Sequence, residues 1–423
     1  MEQDGVMNDP DLLGLFPPGT LMADGGLTVG GCRLDELAAE FGTPVMVVAE
    51  DAVRQRARDY LKAFRSRWAR ADVAFASKAF PCTAIQRLAS EEGLLLDVAG
   101  GGEIATGLAA GADPARMLLH GNAKTDEEIG MAVGNGVGLI VVDNFDDIDR
   151  LERIVEPGTR QACLVRVVPG IEADTHAAVA TGHAGSKFGL LPADARVAIE
   201  RIRRSRVLRC DGVHTHVGSQ LLDAEQLAAA VAPVAELGSF DVYDFGGGLG
   251  VRYTYVDQPP TVDAYAHAIV EKARGLLPAE ARIIVEPGRS MTAAAACTVY
   301  RVTTVKHGVV THVAVDGGMG DNLEVSLYGQ RFEATLVDRV GGGACVTVVG
   351  RHCESGDQLI DVVPLDNPVV GDLLAVPVTG AYCYTMSNQY NGARRIPVVF
   401  AGNGDARLVV RRDTWADLLA RDV

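Results

Sequence analysis

The segment Val73-Ala74-Phe75-Ala76-Ser77-Lys78-Ala79-Phe80-Pro81-Cys82-Thr83, closed further on by Leu94-Leu95-Leu96-Asp97-Val98, decides the fold. Val73–Ser77 is too short for a helix and nearly all apolar, as a strand covered on both faces must be. Thr83–Glu92 then spaces its apolar residues as a helix does, and Leu94–Val98 is a second buried strand. Strand, helix and strand together form the unit of a parallel sheet. The same alternation recurs outward from it. Strand-like runs lie at Met117–His120, Leu139–Val142, Leu164–Val168, Gly212–His216, Val242–Phe245 and Ile283–Val285, with helical patterns at Asp126–Val133, Ala193–Arg203 and Ala224–Leu237. Eight strands in about 215 residues fit a closed (β/α)8, TIM-like barrel. A helix over Asp51–Arg67 precedes the first strand and supplies the eighth crossover.

After about residue 300 the texture changes. Val302–Val305, His312–Val315, Ala344–Val349 and Leu373–Val378 read as strands between Gly, Asp and Pro turns, with little helix. The expected organisation is therefore a barrel over 46–300 and a C-terminal β-domain over 301–423. Residues 1–45, rich in Gly and Pro and without helical pattern, are expected to join the β-domain as an extra strand.

Composition narrows the function. The 423 residues carry 39 basic and 55 acidic side chains, a net charge of −16, which argues against nucleic acid or an anionic membrane as partner. No apolar stretch approaches membrane-spanning length, and the first residues lack the basic region of a secretory signal. The eight cysteines show no metal spacing, so a reduced, cytoplasmic setting is expected.

In such barrels chemistry gathers where the strands end at their C-terminal side. Here those ends carry Lys78, Asp97, His120, Asp143, Arg166, His214-Thr215-His216, Asp244 and Glu286. Lys78 is one of only six lysines and sits among apolar neighbours, which lower an ammonium's pKa and make the amine a nucleophile toward an aldehyde. Taken alone, a lysine snorkelling from a strand end is the plainer reading. Gly246-Gly247-Gly248 could cradle a phosphate, although tight turns use such triplets too. Glu286 could pair with a heterocyclic nitrogen or merely with an arginine. Together a lysine, a glycine cradle and a carboxylate describe pyridoxal 5′-phosphate (PLP), with the carboxylate keeping the ring nitrogen protonated, which suits decarboxylation better than a neutral nitrogen does.

Ordered motifs along residues 20–400 strengthen this: Phe75–Phe80, His120-Gly121-Asn122-Ala123-Lys124, Thr181-Gly182, Ser186-Lys187-Phe188-Gly189, His214–Gln220 and Gly246–Gly250. They continue through Glu286–Arg289, Asp316-Gly317-Gly318-Met319, Cys353-Glu354-Ser355-Gly356-Asp357 and Gly380-Ala381-Tyr382. On these motifs the chain resembles the fold-type III PLP-dependent decarboxylases, whose barrel is of the alanine racemase kind, and most closely the diaminopimelate decarboxylases. The resemblance implies that Lys78 holds the cofactor covalently, His216 stacks on its ring and Glu286 pairs with its nitrogen. It also implies that Ser219, Gly247 and Gly248 contact the phosphate and that Tyr382 lies near the cofactor. Arg289, Tyr328, Glu354 and Tyr382 would surround an amino-acid substrate. A homodimer with shared sites is implied, Cys353 and Glu354 reaching into the partner's site and Cys353 protonating Cα.

One position departs from that pattern. Where diaminopimelate decarboxylases carry an arginine for the distal carboxylate, this chain has Glu324, in Asp321-Asn322-Leu323-Glu324-Val325-Ser326-Leu327-Tyr328. Unit charges 4 Å apart interact by roughly 4 kcal/mol at an effective dielectric near 20, so the inversion would remove a preference for a distal carboxylate. A smaller change is Gly100 where serine is expected. The sequence therefore predicts α-decarboxylation of an amino acid with an altered far end, cationic, neutral or carrier-tethered, in a setting such as specialised biosynthesis. A genuine meso-diaminopimelate decarboxylase making L-lysine and a catalytically silent PLP binder are the alternatives. A racemase fits the carboxylate at the ring nitrogen poorly, and a metal-dependent hydrolase using His120, His214, His216 and Asp244 is open on spacing alone.

Overall fold

A computed structural model describes residues 13–23, 25–170 and 185–423; Thr181-Gly182 lies outside them. The chain divides into two compact units, one of Met1–Val53, Val251–Asp257 and Thr292–Val423, the other of Arg54–Gly250 and Gln258–Met291. The strand Val45–Ala49, which a barrel beginning at residue 46 would claim, belongs to the first of these.

The second unit is the barrel. Its strands are β1 (Ala71–Ala76), β2 (Leu95–Val98), β3 (Met117–Leu119), β4 (Leu139–Val142), β5 (Gln161–Arg166), β6 (Leu208–His214), β7 (Val242–Asp244) and β8 (Arg282–Val285), closed in sequence order. Every pairing is parallel, and β8 returns to β1 with Val285 opposite Val73. All eight expected strands are present, because a parallel strand covered on both faces has to be apolar on both. Seven of them contribute to one cluster, from Ala74 and Leu95 through Leu118, Leu139 and Leu164 to Val242 and Ile284. Alanines facing leucines let these layers interdigitate, and each buried leucine contributes about 2 kcal/mol.

The helix Glu50–Arg65 stands where the closing helix was expected. Phe64 meets Tyr265 of the helix Val262–Ala273 edge to face at 5.5 Å, and Trp68 Nε1 donates to Ala281 O. Crossover helices begin on caps, as at Thr125, whose hydroxyl and Glu128 form a capping box. The single helix expected over Ala224–Leu237 is instead two short ones, Ala224–Ala228 and Val231–Ala235. Pro233 explains the break, since its ring would clash with the carbonyl of Ala229 in a continuous helix.

The first unit holds a larger sheet built from distant parts of the chain. Val45–Ala49 lies antiparallel to Ala296–Lys306 and parallel to Val398–Gly402. Its five consecutive buried residues suit a central strand. The expected strands at 312–315, 344–349 and 373–378 are present, and the one expected at Val302–Val305 begins earlier, at Ala296. Gln358–Leu365, Val398–Gly402 and Asp405–Val410 were not anticipated. Nor was the helix Leu34–Phe41, which buries Leu34, Leu37 and Ala38. The extra strand expected within residues 1–45 does not join the larger sheet; Leu21–Ala23, Gly26–Val29 and Cys32–Arg33 form a small sheet of their own. Among the described residues no helix is long and apolar enough to cross a membrane.

Candidate active site

Barrel closure carries the strand ends to one rim. Lys78 occupies a single 3-10 turn, Ser77–Ala79, directly after β1. Phe75, Ala79 and Phe80 around it are fully buried while Lys78 itself is exposed. The polar residues at four other strand ends converge below the rim. His120 Nε2 is 2.7 Å from Glu286 Oε1 and 3.6 Å from Asp97 Oδ1. His214 Nε2 is 3.3 Å from Glu286 Oε2, and the two imidazoles meet edge to face at 4.9 Å.

The charges in this cluster sort themselves. Burial disfavours an ionised Glu286, yet the two imidazoles outweigh it and hold the carboxyl well below its usual range. Burial also opposes a charged His120, but Asp97 and Glu286 raise its pKa above 6.5. His214, desolvated and with less help from Glu286, is pushed down to about 4. Burial raises Asp97 and, more strongly, Asp244. The cluster thus presents one firmly ionised carboxylate, Glu286, among groups biased toward sharing its charge or staying neutral.

Beside it the glycine triplet is committed to one shape. Gly246 and Gly248 have φ of 64° and 125°, in the region that favours glycine. A Cβ on Gly247 would stand 2.2 Å from the carbonyl oxygen of Glu286. The Gly247 N–H donates to His216 Nδ1 at 3.1 Å, so this amide is engaged by the imidazole. Ser219 accepts from Arg289 Nε at 3.3 Å, with Arg289 buried. Further round the rim, buried Arg166 lies over the Phe188 ring at 4.4 Å and 3.8 Å from Asp143.

The other sequence-predicted residues belong to the first unit. Cys353 and Glu354 are exposed, and the Cys353 N–H donates to Asn391 Oδ1 at 2.7 Å. Their loop is tied down by Asp357, which accepts from Met319 N at 2.6 Å and His352 N at 2.7 Å and pairs with His352 Nδ1 at 2.8 Å. Tyr382 is half-buried with φ of 64°, a strained backbone for a non-glycine residue of the kind found at working sites. Glu324 begins a one-turn helix, Glu324–Tyr328, and is 1% exposed; its Oε2 accepts from the Tyr253 hydroxyl at 3.2 Å. Tyr328, at the end of that turn, is half-buried.

A lysine directly after β1, a carboxylate held ionised after β8 and a glycine turn after β7 define a PLP-dependent decarboxylase of fold type III, and the chain belongs to that family. Residues 50–293 match the pyridoxal-dependent decarboxylase, pyridoxal binding domain family. Within the family its relatives are diaminopimelate decarboxylases. That of Actinosynnema pretiosum subsp. auranticum is 45% identical, over 99% of this chain and 98% of its own. That of Bacillus subtilis is 41% identical, over 94% and 95%. Among solved structures, diaminopimelate decarboxylase from M. jannaschii in co-complex with L-lysine superposes with a TM-score of 0.90 at 30% identity, covering 96% of this chain and 97% of the other. The enzyme from Helicobacter pylori complexed with L-lysine gives 0.87 at 29%, covering 92% and 98%. The chain is accordingly a PLP-dependent carboxy-lyase acting on an amino acid.

The residues present fit the cofactor. Glu286 Oε1 is buried, and a carboxylate oxygen has two lone pairs, so one stays open beyond its 2.7 Å contact with His120 Nε2. An ionised, buried acceptor with an open lone pair is what a protonated ring nitrogen requires. The triplet, too tight for any side chain at Gly247, brings bare backbone to the rim.

Some participants escaped the sequence reading. Glu103, which accepts from Ala99 N and is pushed up to about 7 by burial, stands close enough to Lys78 to feel its charge. Tyr253 precedes Glu324 by 71 positions, a separation that carries no pattern.

Proposed function

We propose that this decarboxylase removes the α-carboxylate of a diaminopimelate-like amino acid whose distal end is cationic, neutral or carrier-tethered rather than a free carboxylate. The observation that supports this is Glu324, buried and bonded to Tyr253 at the position where the resembling family carries its carboxylate-binding arginine.

When bound, PLP supplies the electron sink for the pair released at Cα. Lys78 would hold the cofactor through its amine. Glu286, kept ionised by His120 and His214, holds the proton on the ring nitrogen, and His216 stacks on the ring. Ser219 and Gly248 face the phosphate; the Gly247 amide, already engaged by His216, contributes shape. Arg289, Tyr328, Glu354 and Tyr382 orient the substrate, and Cys353 of a second copy protonates Cα in a homodimer with shared sites.

A second reading, meso-diaminopimelate decarboxylation to L-lysine, is favoured by 45% identity to a diaminopimelate decarboxylase. Steady-state carbon dioxide release separates them. The proposal expects poor turnover of meso-diaminopimelate by the wild type and at least a tenfold gain in Glu324→Arg, about the effect of 1.4 kcal/mol. Efficient lysine formation by the wild type overturns it.

A further inference from the structure

The first unit contains a cavity of about 260 Å³ that the decarboxylase reading does not use. Arg351, Arg394 and Arg412 line it together with Asp316, Asp321 and His352. Many arginines of this chain pair with a carboxylate, as Arg33, Arg201 and Arg339 do. These three do not: among the described residues none has an acid within ion-pair distance. Arg394 lies over the Trp415 ring at 4.5 Å. Arg412 donates to the Pro44 carbonyl at 2.8 Å, and burial and the neighbouring charge of Arg394 together push its pKa down. Arg394 acts on Arg412 more strongly than either Asp316 or Asp321, whose attraction opposes it.

The carboxylates in the cavity are already occupied. Asp316 accepts from Thr43 Oγ1 at 2.5 Å and from Arg301 N at 2.9 Å. Asp321 accepts from Gly318 N at 2.9 Å, and burial raises it to about 7, so near neutrality it is only partly charged. The cavity is therefore cationic on balance.

We propose that this cavity is a small-oxyanion site, taking a dianion such as phosphate or a short dicarboxylate. Guanidinium groups match both through paired N–H donors, and the volume suits a group of that size rather than a larger ligand. The site adjoins the catalytic loop in the chain itself, since Arg351 and His352 immediately precede Cys353.

Binding is scored without turnover, so the result is independent of which substrate the enzyme takes. Holoenzyme, whose cofactor site is filled, is titrated calorimetrically with inorganic phosphate and with malonate, ionic strength being held constant with chloride. Trp415 serves as a second reporter because the only other tryptophan, Trp68, is buried and bonded to Ala281. Saturable binding of either anion, a fluorescence change that Trp415→Phe abolishes, and roughly tenfold weaker binding in Arg351→Gln and in Arg394→Gln are expected, the loss that one charged hydrogen bond carries. Arg153→Gln, on an exposed arginine paired with Asp126, should bind as the wild type does. Visible cofactor absorbance and melting temperature establish that each variant is folded. Absence of saturable binding in the wild type overturns the proposal. So does equal affinity in folded Arg351→Gln and Arg394→Gln, or a signal that chloride reproduces.

Discussion

His216 Nδ1 accepts the backbone N–H of Gly247 across 3.1 Å. The hydrogen bond settles the tautomer, leaving the ring proton on Nε2, and burial together with the charge of Lys78 keeps the imidazole neutral. A neutral ring fixed at one nitrogen is a rigid stacking surface. His216→Phe keeps a ring and removes the tether, so PLP should dissociate about tenfold more readily while the absorbance of bound cofactor persists. A cofactor titration checks this, and unchanged affinity would show that the tether is idle.

Gly247→Ala should do more damage than its size suggests. The new methyl would lie 2.2 Å from the carbonyl oxygen of Glu286, and backbone rather than a flexible side chain has to move. We expect a stability loss of about 1–3 kcal/mol, typical of overpacking, and PLP affinity lower than in His216→Phe. Chemical denaturation of the apoenzyme and cofactor titration read the two effects separately.

His214 makes stability depend on pH with a definite sign. Its folded pKa, about 4, lies below the ordinary value near 6.5. Above pH 6.5 neither the folded nor the unfolded chain protonates it, and its contribution is fully present. As pH falls below 6.5 the unfolded chain takes up a proton that the folded chain refuses, and stability drops, by about 2 kcal/mol at pH 5. His120, shifted the other way, contributes with the opposite sign, so the comparison is with a variant. Between pH 7 and 5 the wild type should lose more stability than His214→Asn does.

Tyr253→Phe tests the buried partner of Glu324. The ring packs edge to face on Phe332 at 5.0 Å and would be retained, so only the hydroxyl is lost. A cost of about 1 kcal/mol is expected, the usual net contribution of one hydrogen bond. In a double-mutant cycle with Glu324→Gln the two losses should not add; strict additivity would mean that the hydrogen bond contributes nothing.

The barrel was legible because burial on both faces writes itself into composition: β1 to β8 are short apolar runs, and the residue after each run marks the rim. Lys78 and Glu286 could be placed at the rim from that alone, while a role for His216 came with the family resemblance. Pro233 was equally visible, but the apolar spacing around it masked the break it imposes. The β-domain was harder. Gln358–Leu365 mixes buried and exposed positions without regular alternation, and Val45–Ala49 reads as a strand without revealing its neighbours. The contact between His120 and Glu286, like that between Tyr253 and Glu324, joins residues whose separation has no period. Such pairings are consequences of closure and topology rather than of local pattern.

Topology also sets a timetable. Val45–Ala49 is flanked by Ala296–Lys306 and Val398–Gly402, so a strand made early waits for one of the last segments to be synthesised. At 5–20 residues per second that interval is on the order of tens of seconds. Every barrel strand leaves the ribosome within it. The emerging chain therefore has the means to complete its barrel first, while an apolar strand stays unpaired on the N-terminal side. The polypeptide is most vulnerable to aggregation and most in need of a chaperone during that wait, and moving Val45–Ala49 to the C-terminal end by circular permutation would shorten it.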